Sequence, residues 1–303
     1  MFLSFLKVNK YGIVNYETPI FPKNILEYKK HREVLFVMNH TIQKYNSIVT
    51  KVNFFFKQLK IKLDKNTGRK LANTPEDIIA LSLFKQAQGI KTKKSVWEIF
   101  SLKCSYKTLV VNMNKLSVYA LLILQSILKW NQENAHLVKH TDSTDIPVCL
   151  NKNAKHHKTT KMLSSWGYSG KGFYYGLKMS ITTDLKRNLL AVSFGTGNGD
   201  DRKTFKKMNR EMTGIFVADA GYISKDLEKE FYIEHKRILF AKPKANMKRI
   251  MTAFQNALYE TRMQIELNFR NLKMFHELVT SLPKSIDGYL GNYVYSLLAY
   301  VLR

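Results

Sequence analysis

The sequence predicts an α/β chain: a mixed β-sheet with flanking helices, preceded by a helical amino-terminal region. Three observations carry that expectation. Apolar residues recur at three- and four-residue spacing through the first half, and alternation with short apolar runs takes over from His136. Those runs fall in the order β-β-β-α-β-α-β-α, which places three antiparallel strands before two crossover strands. Finally, 303 residues of which 45% are apolar suffice for one large or two ordinary domains with a real core, which excludes a disordered chain.

Each element follows from local signals. Ile25–Leu59 carries the mixed helical spacing and the aromatic run Phe54-Phe55-Phe56. A second helix starts at Thr74, with Pro75 in its first turn and Asp77 placed as in a capping box, and stops near Gly89. The basic connection Lys91-Thr92-Lys93-Lys94 leads into Ser95–Phe100, and a long apolar helix follows at Leu116–Trp130. Short helices joined by a glycine turn with lysines beside it read either as a helix-turn-helix or as a bundle with a solvated basic face. In the second half, His136–Leu150, Gly172–Thr183 and Leu189–Gly195 read as strands, the last two joined by a turn at Asp184–Asn188. A basic helix follows at Asp201–Met212, then the buried strand Gly214–Asp219, a short helix at Ser224–Phe231, a strand at Ile238–Ala241 and a long helix from Met251 to Phe275. The period change divides the chain into a helical, basic region 1–134 and a sheet domain 135–303.

Charge narrows the function. There are 49 Lys and Arg against 23 Asp and Glu, a net of +26 spread over both halves. A surface so basic calls for a polyanionic partner, DNA or RNA first; a basic ribosome-like bystander or an anionic membrane surface is the alternative. Cys104 and Cys149 lie far apart, which excludes a disulfide scaffold and a cysteine zinc ribbon and suits a reducing cytoplasm. The apolar stretches Tyr119–Leu128 and Tyr289–Leu302 fall short of the roughly 18–20 residues that span a bilayer, so they read as buried helices of a protein with no membrane role.

Three carboxylates hold telling positions. Asp142 lies in the first strand, Asp219 closes an apolar strand, and Glu266 rides the last long helix. Two carboxylates about 4 Å apart repel by about 4 kcal/mol at an effective dielectric near 20, and a hard divalent cation removes that repulsion. All-oxygen ligation points to Mg²⁺, with Mn²⁺ as a substitute. On one continuous helix, at about 100° per residue, Tyr259, Arg262, Glu266 and Lys273 share an arc of roughly 60°. Leu258, Ile265, Phe269, Leu272 and Phe275 occupy the adjoining arc, free to pack on the sheet.

At these residues the chain resembles the DDE transposases of bacterial insertion sequences, one branch of which carries a Tyr-x2-Arg-x3-Glu-x6-Lys signature. Tyr259, Arg262, Glu266 and Lys273 match that spacing at every step. Further similar blocks are Asp142-Ser143-Thr144, His157-Lys158, Gly176-Leu177-Lys178, Thr196-Gly197-Asn198 and Asp219-x-Gly221-Tyr222-Ile223, in the family's order from about 140 to 276. The resemblance implies a ribonuclease-H-like catalytic domain behind an end-binding helical region. Asp142, Asp219 and Glu266 would be both the catalytic acids and the metal ligands, holding two Mg²⁺ ions. Tyr259, Arg262, Lys273, His157, Lys158 and Lys178 would contact DNA. The implied activity is cleavage of the element's ends and transfer of the 3′-OH strand to target DNA by two-metal phosphoryl transfer, in a homodimer on double-stranded DNA in the bacterial cytoplasm, near the nucleoid. Two other readings stand beside it: a metal-dependent nuclease that does not join, and an inactive or shortened copy that only binds DNA, since the chain ends at Arg303 just after an apolar helix.

The departures from the family pattern are specific. Asp145 stands where relatives commonly carry an uncharged residue; Asp142 is kept as the first acid because of the Asp-Ser-Thr block, and Asp145 is given a surface role. His140 is expected beside the site as a neighbour of Asp142. Asp200 and Asp201 follow a turn and open a helix, which makes them capping residues. Gly170-x-Gly172 lacks the strand-to-helix context of a nucleotide loop, and Ser143 lacks the partners of a nucleophile.

Overall fold

The computed structural model describes residues 6–8, 14–16, 25–62, 72–243, 247 and 250–303, with side chains from residue 40 onward, His235 excepted. The chain opens with a small antiparallel ribbon, β1 (Leu6–Val8) against β2 (Val14–Tyr16), where an all-helical start was expected. The helices α1 (Ile25–Gln58), α2 (Pro75–Ala87), α3 (Lys93–Ile99) and α4 (Tyr106–Glu133) follow.

Two compact units form. The first comprises Met1–Ile123, Phe275–Glu277 and Leu290–Arg303; the second comprises Leu124–Met274 and Leu278–Tyr289. In the first, α1 buries Ile42, Tyr45, Val49, Val52 and Phe56 at the spacing of one helical face. Tyr45 meets Phe84 and Phe100 at ring-centroid distances of 6.0 and 4.8 Å, while Phe54 of the aromatic run points to solvent. The expected capping box at α2 is present: Thr74 Oγ1 accepts from the Asp77 amide at 3.1 Å, and Asp77 Oδ2 accepts from the Thr74 amide at 3.2 Å. Gly89, at φ +60°, makes the turn into α3, and Lys93 at the head of α3 donates to Asn114 Oδ1 at 2.6 Å. Helix α4 departs from the expected buried helix: Ala120, Ile123 and Leu124 are buried, but Val111, Val118, Leu121 and Leu122 are exposed. It is the one helix among the described residues long and apolar enough, by length and composition, to cross a membrane.

The second unit is built on a six-stranded sheet. Its strands are β3 (Val138–Pro147), β4 (Ser165–Ser169), β5 (Gly172–Asp184), β6 (Leu189–Thr196), β7 (Ile215–Ala218) and β8 (Ile238–Ala241). The order is β4-β5-β3-β7-β8, with β6 also paired to β5. Pairings among β3, β4, β5 and β6 are antiparallel, and β3-β7-β8 are parallel. Helices α5 (Asp201–Met208) and α6 (Lys225–His235) lie between the later strands in sequence, and α7 (Ala253–Glu260), α8 (Met263–Phe275) and α9 (Ile286–Val301) close the chain. This is the ribonuclease-H-like arrangement of a mixed sheet with flanking helices.

Local chemistry explains the pieces. Strand β7, Ile-Phe-Val-Ala, is apolar throughout because a parallel strand is covered on both faces. Phe205, Phe216, Tyr222 and Phe231 interlock at centroid distances of 5.1–5.8 Å, and burying each ring contributes about 1.5–3 kcal/mol. Asp200 caps α5 by accepting from the Arg202 amide at 2.8 Å, as expected. Gly176 sits against β3, where an added Cβ would lie 2.2 Å from the Ile146 carbonyl oxygen, so only glycine lets the two strands approach. Strand β4 and the 3₁₀ turn Asn151–His156 were not foreseen.

Candidate active site

The sheet register brings the first two acids level. Strands β3 and β7 run parallel with His140 opposite Val217, and two residues farther along each strand stand Asp142 and Asp219. Neighbouring strands lie about 4.8 Å apart, so the register alone sets the two carboxylates side by side in the middle of the sheet, where β7 ends. Asp219 follows the last residue of β7 in extended conformation and leads into the 3₁₀ turn Ala220–Tyr222. Glu266 comes from the first turn of α8.

Arg262 ties the three acids together. Its Nη2 lies 3.1 Å from Asp142 Oδ2 and 3.9 Å from Asp219 Oδ2, and its Nη1 donates to Glu266 Oε1 at 2.8 Å. The Tyr259 hydroxyl donates to Asp219 Oδ1 at 3.4 Å. Exposure grades outward: the side chains of Arg262 and Asp142 are 13% and 16% exposed, those of Asp219 and Glu266 49% and 59%. Burial pushes the Asp142 carboxyl up to about 6, against the pull of Arg262 and of the Ser143 amide, which donates to Asp142 Oδ1 at 2.8 Å. Burial would lower Arg262, yet the surrounding acids, Asp142 foremost, hold it above its ordinary value.

The single long helix expected from Met251 to Phe275 is broken. Helix α7 ends at Glu260 and α8 begins at Met263. Thr261 marks the break: its Oγ1 donates to the Leu258 carbonyl at 2.6 Å and shares a 2.8 Å hydrogen bond with Nε2 of the fully buried His140. A hydroxyl that competes for a helix carbonyl is a known helix bender. The common arc of a continuous helix is therefore interrupted between Tyr259 and Glu266, while Glu266 and Lys273 still share α8. Tyr259 reaches Asp219 from α7, whereas Lys273 Nζ lies 3.0 Å from Asp145 Oδ1. Asp145 is thus a half-buried ion-pair partner rather than a solvated surface residue. Of the apolar arc, Ile265, Phe269 and Leu272 are buried, Leu258 packs against Val138, Val217 and Phe240, and Phe275 is exposed.

The remaining sequence candidates lie elsewhere on the unit. His157 accepts or donates at Thr160 Oγ1 at 2.9 Å and packs edge-on against Tyr175 and Tyr289, with burial keeping its imidazole below the usual value. Lys158 is exposed. Lys178 is tied down, donating to the Gly199 carbonyl at 2.9 Å and to Asp201 at 3.1 Å. Sequence reasoning missed the His140–Thr261 bridge and the Asp145–Lys273 pair, because neither leaves a local pattern.

Among the described residues no three His, Cys, Asp and Glu side chains are gathered tightly enough to hold a metal ion. The donor chemistry nevertheless suits a hard cation: three carboxylates converge where positive charge is required, and a guanidinium supplies it. The His140 Nε2 that faces the break is committed to Thr261.

The family described as transposase DDE domain matches residues 132–285, just over half of the chain. No curated protein matches the sequence. Proteins carrying this domain act on DNA and generally depend on a divalent metal. The matched span runs from the last turn of α4 past the end of α8, so it takes in both acid-bearing strands and the helix that closes over them, and the chain belongs to the transposase DDE domain family.

Proposed function

We propose that this protein is an insertion-sequence transposase that cleaves the element's ends and transfers the 3′-OH strand to target DNA, with Asp142, Asp219 and Glu266 as its catalytic acids. The observation that carries the reading is the convergence of these three carboxylates, from β3, the end of β7 and α8, on the single guanidinium of Arg262.

Asp142, Asp219 and Glu266 would hold two Mg²⁺ ions, or Mn²⁺ in their place. When bound, such ions activate water or the freed 3′-hydroxyl and steady the leaving oxygen of an in-line displacement. The chain's own residues set the stage for that chemistry. Asp142, desolvated and raised to about 6, is the acid least willing to stay charged without a cation beside it. Arg262 keeps it ionised and holds Glu266 in reach, and its planar guanidinium is the group suited to a phosphate oxygen of the DNA. Tyr259 positions Asp219 through its hydroxyl and presents a ring to DNA, and Lys273, once released by Asp145, contributes a second phosphate contact. Residues 1–134 would bind the element's ends and 135–303 perform the chemistry, in a homodimer that pairs two ends.

The test is Mg²⁺-dependent cutting and joining of a labelled duplex carrying the DNA that flanks the gene, with Glu266→Gln as control. Cleaved 3′ ends plus joined products, both lost in Glu266→Gln, are the expected result. Cleavage without joined products would assign a nuclease instead, and tight binding without cleavage in either metal would remove the enzymatic reading.

A further inference from the structure

Residues 151–183 contain six lysines and no Asp or Glu. In their midst β4 and β5 form a hairpin joined by Gly170-Lys171, with Trp166 opposite Tyr175 and Tyr168 opposite Phe173. Residues directly opposite in a pair share a face, and these rings touch across the strands at 5.7 and 5.1 Å between centroids. The intervening pair, Gly167 and Tyr174, turns the other way: Tyr174 is buried and its hydroxyl donates to the Gly197 carbonyl at 3.2 Å. One face of the hairpin is therefore packed on its own unit and the other is an aromatic ladder. Tyr175 anchors the inner end of that ladder. Trp166, Tyr168 and Phe173 are 47%, 70% and 69% exposed. Lys155, Lys158, Lys161 and Lys171 are exposed around them.

Flat, solvent-facing rings beside exposed lysines fit one ligand chemistry well. Every nucleobase has a π face to lay on a ring, and every phosphate a charge to neutralise, whereas the centre of a protein-protein contact is depleted of charge. Position agrees. Asp142 pairs with Ile181 on β5, and Phe173 lies eight residues back along that strand, roughly 27 Å at about 3.4 Å per residue. That is the length of about eight stacked nucleotide steps at 3.4 Å each. A DNA strand leaving the acids along β5 reaches the rings within one turn of duplex.

We propose that the β4–β5 hairpin is a stacking platform for one or two unpaired bases of DNA, with the surrounding lysines holding the flanking phosphates. The proposal rests on the transposase reading above and adds a preference for DNA with an unpaired end.

Fluorescence anisotropy on the full chain, at one fixed salt concentration, tests it with a blunt 20-base-pair duplex and the same duplex carrying an unpaired thymine tail. The wild type should prefer the tailed DNA by about tenfold or more, the range that stacking on one ring supplies. Tyr168→Ala with Phe173→Ala should abolish most of that preference while leaving blunt-duplex affinity within about twofold. Tyr168→Leu with Phe173→Leu, which keeps apolar bulk without rings, should behave like the alanine pair, and Trp166→Phe should retain the preference. Matching thermal melts exclude misfolding at these exposed positions. Equal affinity of the wild type for both DNAs, or an unaltered preference in the leucine pair, overturns the platform and leaves the transposase reading intact. Failure to bind either DNA sinks both. A wild type that is dimeric without DNA and monomeric as the alanine pair would give this face to a second copy and overturn the proposal.

Discussion

Removing the guanidinium that joins the acids is the most direct probe of the site. In Arg262→Gln the Asp142 carboxylate loses its partner at 3.1 Å, an attraction of about 5 kcal/mol at an effective dielectric near 20. Both side chains are less than one-fifth exposed, but not fully buried, so the net loss falls to about 2–4 kcal/mol, near the lower end for breaking a buried pair. Glu266 and Asp219 are exposed enough that their share is small. For a unit of this size the loss corresponds to a melting temperature lowered by about 5–10 °C in EDTA. Mg²⁺ should restore a large part of it, because the ion supplies the missing positive charge. The pH dependence has a definite sign. Asp142 titrates near 6 when folded, above its ordinary value, so the folded state binds the extra proton between about 4 and 6, and ionising the group costs stability as pH rises through that window. Without the guanidinium Asp142 titrates higher still, so the deficit of Arg262→Gln should be small below about pH 6, where the carboxyl is protonated in both proteins, and grow as pH rises above it. Arg262→Lys should fall between wild type and Arg262→Gln, since it keeps the charge and loses the fork. Differential scanning fluorimetry with and without Mg²⁺, from pH 4 to 8, reads all of this. An unchanged melting temperature in EDTA, or a drop that Mg²⁺ leaves untouched, would refute the idea that Arg262 holds the place of a cation.

Gly176→Ala should destabilise the sheet by about 3 kcal/mol or more in urea unfolding, because its methyl would meet a strand carbonyl that has no room to retreat; a loss below about 1 kcal/mol would mean that β3 and β5 part easily. Asp145→Asn should release Lys273 and tighten duplex binding about threefold at low salt, an effect that fades as salt rises; no change would show that Lys273 never reaches DNA. Buried Lys85 is pushed down to about 8 by desolvation, so the unfolded chain binds the extra proton between about 8 and 10.5 and stability should climb with pH over that range. Lys85→Met should stabilise the helical unit by about 1–3 kcal/mol at pH 7 and flatten that climb, measured by urea unfolding at pH 7 and 9.5.

Much of the fold was legible because its signals are local. The capping box at Thr74, the four apolar residues of β7 and the Asp200 cap are read from neighbouring residues, and each forms as expected. Strand β4 was not legible: Ser-Trp-Gly-Tyr-Ser is short and interrupted by glycine, and it becomes a strand only because β5 offers it a partner. The long terminal helix misled for the opposite reason. Its periodicity is continuous through Thr261, and the hydroxyl that bonds the Leu258 carbonyl at the break also meets His140, 121 residues earlier in the chain, a partner that no local pattern shows.

The candidate site divides along the same line. The sequence alone determined that three acids would end up on two strands and a helix, since an acid at the tip of an apolar run or on an amphipathic helix is a statement about its immediate neighbours. It also determined the polyanionic partner, because net charge is a property of composition. Only the tertiary structure decided which cation faces which acid. Arg262 bridges Asp142 across 120 residues of sequence, and Lys273 reaches Asp145 across 128. An ion pair depends on separation and burial, and both are set by the packing of distant elements, which no local period encodes.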